Sequence, residues 1–187
     1  MPTQILRPDG TTSQAGMSPS SNIHTVIGDN DDSTFAFQSQ QTANYTCTFD
    51  NTSGLSGAKI DKFVFSFRAK QDRRPGSVVD VRITEDGGGA YAGFLLGNPP
   101  VGFTTTLTTF DSADFTAQTD GSTELTANFL DNLRVLITPN SQGHRVTDMF
   151  ITVTYQETGY GNTVAGVSDI SEVVGIDAAN ISQVAGV

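Results

Sequence analysis

Within the stretch 59–70, the chain alternates strictly from residue 62 onward between apolar and mostly polar side chains. One parity carries Phe63, Phe65, Phe67 and Ala69, and the other carries Lys62, Val64, Ser66, Arg68 and Lys70. Successive side chains of a β-strand point to opposite faces, so this pattern predicts a strand with one face in a core and one face in water. Each buried Phe ring covers roughly 150–250 Å², and three rings on one face therefore require a substantial core.

Other alternating stretches predict the strands that complete this core. Residues 77–84 are expected to pair with the Phe-rich strand across a turn, and residues 133–138 and 149–156 are expected to form a second hairpin. Residues 24–27 are expected to form a short strand, and residues 122–130 a short helix capped by Ser122. Many short strands, Gly/Pro turns and almost no helix predict an all-β fold, an antiparallel two-sheet β-sandwich with a jelly-roll-like arrangement.

The composition divides the chain into three parts. Residues 1–30 open with the short apolar piece Ile5-Leu6, continue with small polar residues from Thr11 to Asn22, and are interpreted as an extended N-terminal arm with one short edge strand. Residues 31–157 contain the predicted sandwich. Residues 158–187 have a different composition and are interpreted as a C-terminal arm, a docking tail outside the sandwich.

The C-terminal tail repeats one short phrase at fixed spacing. Residues 170–176 read Ile-Ser-Glu-Val-Val-Gly-Ile and residues 181–187 read Ile-Ser-Gln-Val-Ala-Gly-Val. The repeat is too short to form a solenoid unit, and it carries apolar side chains without a domain of its own to bury them. Such a segment is predicted to dock on a neighbouring subunit, with a frayed tail as the alternative. The predicted docking residues are Ile170, Val173, Gly175, Ile176, Ile181, Val184, Gly186 and Val187.

Charge restricts the partners of this chain. It contains 10 Lys and Arg against 20 Asp and Glu, a formal net charge of −10 over 187 residues. Phosphate backbones and anionic membrane surfaces repel such a chain, so neither nucleic acid nor a membrane is expected as a partner. No apolar run approaches the roughly 20 residues that a membrane-spanning helix needs.

Catalytic motifs are missing from the sequence. The two histidines, His24 and His144, have no second histidine at ligand spacing and are interpreted as surface residues, and Cys47 is interpreted as a small buried hydrophobe. The chain has neither a nucleophile elbow nor a phosphate-binding loop. We therefore expect no enzymatic activity. Cleavage of polysaccharide stays open as an alternative, because a count of 20 acidic residues does not exclude a pair of catalytic carboxylates.

The densest acidic cluster is the segment 28–34, Gly-Asp-Asn-Asp-Asp-Ser-Thr. Asp29, Asp31 and Asp32 offer the oxygen ligands that Ca²⁺ prefers, although the EF-hand pattern is absent. The alternative is a solvated turn in which Asp side chains accept hydrogen bonds from nearby backbone N–H groups. Apart from this Ca²⁺ no cofactor is expected.

The two ends of the chain resemble known proteins. A tail of the form Ile-Ser-x-Val-x-Gly-Val is similar to those of virion structural proteins of tailed bacteriophages. The opening Ile-Leu-Arg-Pro-Asp-Gly at 5–10, and segment 28–34 before an aromatic strand, resemble lectin-like or jelly-roll β-sandwich modules of phage particles. The resemblance implies a non-enzymatic virion component. It would be a head decoration (cement) protein or a neck or tail accessory protein, located in the virion. Its partners would be capsid, neck or tail subunits and copies of itself in a homo-oligomer.

A second function remains open at this point. This alternative is a carbohydrate-binding module of a phage tail that recognises the host surface. Its binding could depend on Ca²⁺ held by the acidic loop. Trp is absent, but Tyr91, Tyr155 and Tyr160 could stack against a sugar.

Overall fold

The computed structural model describes residues 1–40, 43–50, 52–55, 57–72, 79–84, 104–139, 143–157, 172–173 and 176–177. Its strands are β1 (Thr3–Leu6), β2 (Pro8–Ala15), β3 (Met17–Ser18), β4 (Ala36–Gln38), β5 (Asn44–Phe49), β6 (Lys59–Gln71), β7 (Val79–Thr84), β8 (Thr108–Asp111), β9 (Arg134–Pro139), β10 (His144–Gln156), β11 (Glu172–Val173) and β12 (Ile176–Asp177). The helices are α1 (His24–Ile27) and α2 (Ala127–Asp131), and Ser53–Leu55 forms a turn of 3₁₀ helix. Within these described ranges, no helix is long and apolar enough to cross a membrane.

Two antiparallel sheets form a β-sandwich, which confirms the predicted fold class. One sheet has six strands, in the order β3-β4-β10-β6-β8, with β1 also paired to β10; the other has the order β2-β5-β9-β7. Consecutive strands repeatedly change sheet, as β5 to β6, β6 to β7 and β9 to β10 all do. This alternation is typical of jelly-roll-like sandwiches.

The core lies between the sheets and is centred on β6. Phe63, Phe65 and Phe67 are almost completely buried, as the alternation predicts. Phe65 meets Phe49 of the opposite sheet edge to face, with ring centroids 6.5 Å apart. Aromatic pairs in this geometry add to the stabilisation from area burial alone. The remaining core comes from alternate residues of β5, β7, β9 and β10.

The predicted strand partners are wrong. β6 pairs with β10 and β8, whereas β7 pairs with β9 in the other sheet. β9 pairs with β5 and β7, so β9 and β10 form no hairpin. The physical reason is that alternation reveals which face of a strand is buried but not which strand lies beside it. β6 and β10 are each 13 residues long, and this equal length favours their pairing over the shorter candidates.

The first 30 residues do not form a separate arm, contrary to the prediction. β1 pairs with β10 and β2 pairs with β5, so this segment contributes to both sheets. Leu6, Ile23 and Ile27 are completely buried. The apolar residues of this polar stretch are too sparse to predict a strand pattern. Leu6, Ile23 and Ile27 nevertheless fill positions in the core, whereas Ile5 is 53% exposed.

The helical predictions need two corrections. Residues 24–27 form the single turn α1 and not a strand. The second helix begins at Ala127, with the Thr126 hydroxyl accepting a hydrogen bond from Phe129 N–H. Ser122 does not cap it, because Ser122 belongs to a turn in which the Asp120 carboxylate accepts from its backbone N–H at 2.9 Å.

Candidate ligand-binding cleft

An open cleft of about 560 Å³ lies on the outer face of the six-stranded sheet. It is found where β3 and β4 meet the beginning of β10 and the residue that follows β6. Its described lining combines two aromatic rings, two aliphatic side chains and a charged pair. The lining residues are Ser18, Pro19, Val26, Phe35, Phe37, Asp72 and Arg145.

Strand register places the main lining side chains beside one another. Phe37 is directly opposite Ser18 on one side and Arg145 on the other. Arg145 in turn is opposite Lys70 of β6. These four residues form one row across four strands, and side chains in such a row lie about 4.5–5.5 Å apart at Cβ.

Side-chain alternation turns this row away from the core. Ala36, next to Phe37, and Val146, next to Arg145, are completely buried and opposite each other. Because neighbouring side chains of a strand point to opposite faces, Phe37 and Arg145 must point outward. The two Phe side chains on either side of Ala36 are only half-buried. The small alanine occupies the core position, and the large rings remain available at the surface.

A glycine turn fixes the start of β10 at the edge of the cleft. Gly143 has φ of +91°, a conformation that side chains with a Cβ rarely adopt. Its carbonyl accepts a hydrogen bond from the backbone N–H of Asp72 at 2.9 Å, and its own N–H donates to the Gln38 carbonyl at 3.3 Å. This turn therefore holds Asp72, Arg145 and the end of β4 in a fixed relation.

The charged pair that lines the cleft forms a three-membered cluster with Lys70, which lies outside the lining. Arg145 Nη2 lies 2.7 Å from Asp72 Oδ2, and Lys70 Nζ lies 3.2 Å from Asp72 Oδ1. The guanidinium carbon of Arg145 is 3.9 Å from the centroid of the Phe35 ring. The three charged side chains keep 26–29% of their surface exposed. Arg145 is therefore held between the Phe35 ring and the Asp72 carboxylate, and its Nε is buried without a hydrogen-bond partner among the described residues.

His144 lies next to Arg145 but on the opposite face of β10. It is buried, contrary to the surface position expected from the sequence, and its ring stacks on Phe67 with centroids 5.6 Å apart. Loss of solvation lowers the pKa of His144 to about 3. The imidazole is therefore neutral near neutral pH and contributes no charge to the cleft.

The acidic loop that the sequence singled out is tied to the protein by its carboxylates. Asp29 accepts from Asp31 N–H at 3.0 Å and Asp31 accepts from Ser33 N–H at 2.8 Å. Asp32 accepts two hydrogen bonds from Arg68, both at 2.8 Å, and a third from the Thr147 hydroxyl.

These contacts change the acidity of two of the carboxylates. The hydrogen bond from the Ser33 backbone lowers the pKa of Asp31, and the hydrogen bond from Arg68 lowers that of Asp32. In the described ranges no three His, Cys, Asp or Glu residues are grouped so that they could hold a metal ion. Binding of Ca²⁺ stays a sequence-based prediction, and the turn geometry accounts for Asp29 and Asp31 without an ion.

Most of the predicted docking residues lie outside the described part of the chain. These are Ile170, Gly175, Ile181, Val184, Gly186 and Val187. Val173 and Ile176 are described, and their backbones are partners in the antiparallel pair β11–β12. Of the tyrosines proposed to stack sugars, Tyr91 and Tyr160 are also outside it, and Tyr155 packs partly against the core.

The sequence-based search missed the four central cleft residues. Phe35 and Phe37 belong to the aromatic strand that follows segment 28–34, and two aromatic side chains of one parity are normally expected to face a core. The opposite parity of this strand carries Ala36 and Gln38, one small apolar and one polar side chain. This pair does not show which face of the strand is buried. Asp72 and Arg145 are far apart in the sequence, and only the β6–β10 pairing joins them.

Neither a protein-family model nor a curated protein matches this chain. Among solved structures, the C-terminal CBM6 of LamC, a marine laminarinase from Zobellia galactanivorans, is similar with 8% identity and a TM-score of 0.43, covering 82% of this chain and 99% of that chain. The carbohydrate-binding module CBM6cm-2 of Cellvibrio mixtus lichenase 5A, in complex with cellotriose, has 10% identity and a TM-score of 0.42, covering 82% and 98%. At these values the likeness identifies neither a family nor a ligand for this chain.

Proposed function

We propose that this protein is a non-catalytic carbohydrate-binding β-sandwich whose ligand occupies the cleft between Phe37 and Arg145. The observation that carries the proposal is the cleft itself, in which aromatic rings and a hydrogen-bonding charged pair face the same open space. Small-molecule sites are typically concave and mostly apolar, with a few polar groups that fix the orientation of the ligand.

The chemistry of the lining suits a sugar ring. A pyranose has an apolar face of C–H groups and a rim of hydroxyl groups. The C–H face can lie on an aromatic ring, whose face is electron-rich, and the half-buried Phe37 offers such a ring. The hydroxyl groups can donate to Asp72 and accept from Arg145, the charged groups that give the stronger hydrogen bonds.

The same lining argues against hydrolysis of the sugar. Glycosidases generally need two carboxyl groups, about 5–5.5 Å apart in retaining enzymes and 6.5–9.5 Å apart in inverting ones. Asp72 is the single carboxylate among the described lining residues. It is paired with both Lys70 and Arg145, and the described lining offers no second carboxyl group to act with it.

A glycan array followed by calorimetry tests the proposal. The wild-type chain should bind one class of glycan, and Phe37→Ala should weaken that binding at least tenfold. Phe150→Ala is the matched control, because Phe150 is also half-buried on the outer face of β10 beneath an arginine, but outside the cleft. An EDTA-treated sample shows whether the acidic loop contributes through Ca²⁺. If the protein bound no glycan on the array, or if Phe37→Ala and Phe150→Ala lost affinity equally, a sugar site in the cleft would be contradicted.

A second role is assembly into a larger particle, such as a bacteriophage virion, through the C-terminal tail. It is favoured by the repeat at 170–176 and 181–187, and by the strand pair formed within the first copy. Extended segments that pair as strands can join subunits by adding to a sheet edge. Light scattering on the full chain and on a chain ending at Glu157 tests this role. An oligomer that persists without the tail would contradict it.

A further inference from the structure

The charged cluster at the edge of the cleft carries more positive than negative charge, although the protein as a whole is strongly acidic. Asp72 and Arg145 line the cleft, and Lys70, which lies outside the lining, shares the Asp72 carboxylate with Arg145. The three side chains therefore have a formal charge of +1 in a chain with a formal net charge of −10.

The neighbouring ion pairs on this face have a different stoichiometry. Arg68 is matched by Asp32, with two hydrogen bonds of 2.8 Å, and Arg7 is matched by Asp148 at 2.7 Å. Each of these two pairs has one cation for one carboxylate. Of the three groups compared, the cluster at the edge of the cleft is the one with an excess of cations.

The geometry of Arg145 suits a second anion. Its guanidinium group is planar, lies over the Phe35 ring and keeps a fixed orientation through Asp72. A planar guanidinium binds carboxylate and sulfate groups well, because several N–H donors match the oxygen atoms of the anion. The Lys70 ammonium lies beside it as a mobile point charge, able to turn from Asp72 toward a ligand.

We propose, resting on the proposed sugar-binding function, that the cleft selects oligosaccharides with an anionic substituent over neutral ones. The substituent is a hexuronic acid carboxylate or a sulfate ester. It contacts Arg145 and Lys70 while the sugar ring lies on Phe37. A neutral sugar gains no binding free energy from the second cation. The negative group of an acidic sugar instead neutralises the excess positive charge of Lys70 and Arg145.

Isothermal titration calorimetry with matched ligands tests the selection. The first pair of ligands is trigalacturonic acid and its methyl ester, which differ in charge and share one sugar skeleton. The second pair is a sulfated galactose trisaccharide and its unsulfated parent, and it separates sulfate from carboxylate recognition. We expect the charged member of at least one pair to bind about tenfold more tightly, a difference of ~1.4 kcal/mol. Its affinity should fall as salt rises from 50 to 500 mM.

Two variants test whether the preference for charged ligands depends on Lys70. Lys70→Gln retains much of the stem and removes the extra charge, so the acidic ligand should lose about tenfold in affinity and the neutral one almost nothing. Lys62→Gln is the control, because Lys62 lies on the same face of β6 and pairs with Asp114 far from the cleft.

The outcomes separate this inference from the proposed function. Equal binding of charged and neutral ligands, with loss of both in Phe37→Ala, would overturn the selection and leave the sugar site intact. An acidic preference unchanged in Lys70→Gln would also overturn it. If no member of either pair binds and the glycan array is silent, the proposed function fails together with the selection.

Discussion

At the scale of single residues, Tyr45 tests how the core tolerates a polar group. Its side chain is completely buried, and its hydroxyl has no hydrogen-bond partner in the described part of the chain. Burial raises the pKa of the phenol well above its ordinary value. An unsatisfied buried hydroxyl group costs about 1–3 kcal/mol.

Tyr45→Phe should therefore raise the free energy of unfolding by about 1 kcal/mol. Urea denaturation followed by fluorescence or circular dichroism measures this change. Tyr155→Phe is the control, since Tyr155 is only half-buried on β10, and it should change stability by less than about 0.5 kcal/mol. A destabilised Tyr45→Phe protein would mean that the hydroxyl has a partner.

His144 gives the second prediction at this scale, a dependence of stability on pH. Its pKa is about 3 in the folded protein, against about 6.5 in an unfolded chain. Between these values the unfolded state binds the proton first, so stability falls as the pH decreases from about 6.5 toward 3. The slope from this one group is at most about 1.4 kcal/mol per pH unit.

His144→Phe retains an aromatic ring against Phe67 and removes the titration. Chemical denaturation at pH 7, 5.5 and 4 should show a smaller loss of stability on acidification in the variant than in wild type. The carboxylates with lowered pKa values, such as Asp120 at about 2, titrate in both proteins and cancel in this comparison. Parallel pH profiles would exclude a buried neutral histidine.

At the scale of elements, the attachment of α2 depends on one carboxylate. Asp131 Oδ1 accepts from the backbone N–H of Thr52 at 2.6 Å and from its hydroxyl at 2.7 Å. Thr52 is buried, so loss of this acceptor leaves its backbone N–H without that partner and its hydroxyl with the weaker contact to the Ala127 carbonyl at 3.3 Å. The interaction joins the helix to the loop before β6.

Asp131→Ala should destabilise the protein by about 1–3 kcal/mol. Asp114→Ala is the matched comparison, because Asp114 pairs with Lys62 at 2.7 Å on the surface, where the two side chains are 53% and 39% exposed. Exposed pairs contribute about 0.2–1 kcal/mol, so this variant should be nearly neutral. Thermal and urea denaturation compare the two, and similar losses in both would contradict the role assigned to Asp131.

At this scale of strands and helices, the sequence predicts the buried faces of strands but not their partners. The Phe alternation of β6 defined its buried face correctly, because period-2 patterns follow directly from strand geometry. It could not place β10 beside β6 or separate β9 from β10, since lateral pairing depends on contacts between distant residues. The cleft was missed for the same reason, because Phe37, Arg145 and Lys70 come from three strands that only the sheet brings into one row.

At the scale of the whole molecule, the N-terminal segment is an integral part of the sandwich. β1 is hydrogen-bonded to β10 along four residue pairs, and Leu6 is completely buried. Arg7 adds an ion pair with Asp148 and accepts a hydrogen bond at its carbonyl from Asp50 N–H at 2.7 Å. At the other end, β10 ends at Gln156, and the described pair β11–β12 is formed within the tail.

Deletion of residues 1–7 should therefore destabilise the domain severely, whereas deletion of residues 158–187 should leave its melting temperature almost unchanged. Burial of Leu6 alone is worth about 2–5 kcal/mol when truncated to Ala, a large fraction of the 5–15 kcal/mol that stabilises a typical domain. Differential scanning calorimetry of the full chain and the two shortened chains makes the comparison. If the chain without residues 1–7 were stable, the prediction of a separate N-terminal arm would be supported after all. If the chain without residues 158–187 had a lowered melting temperature, the tail would contribute to the sandwich rather than bind a partner.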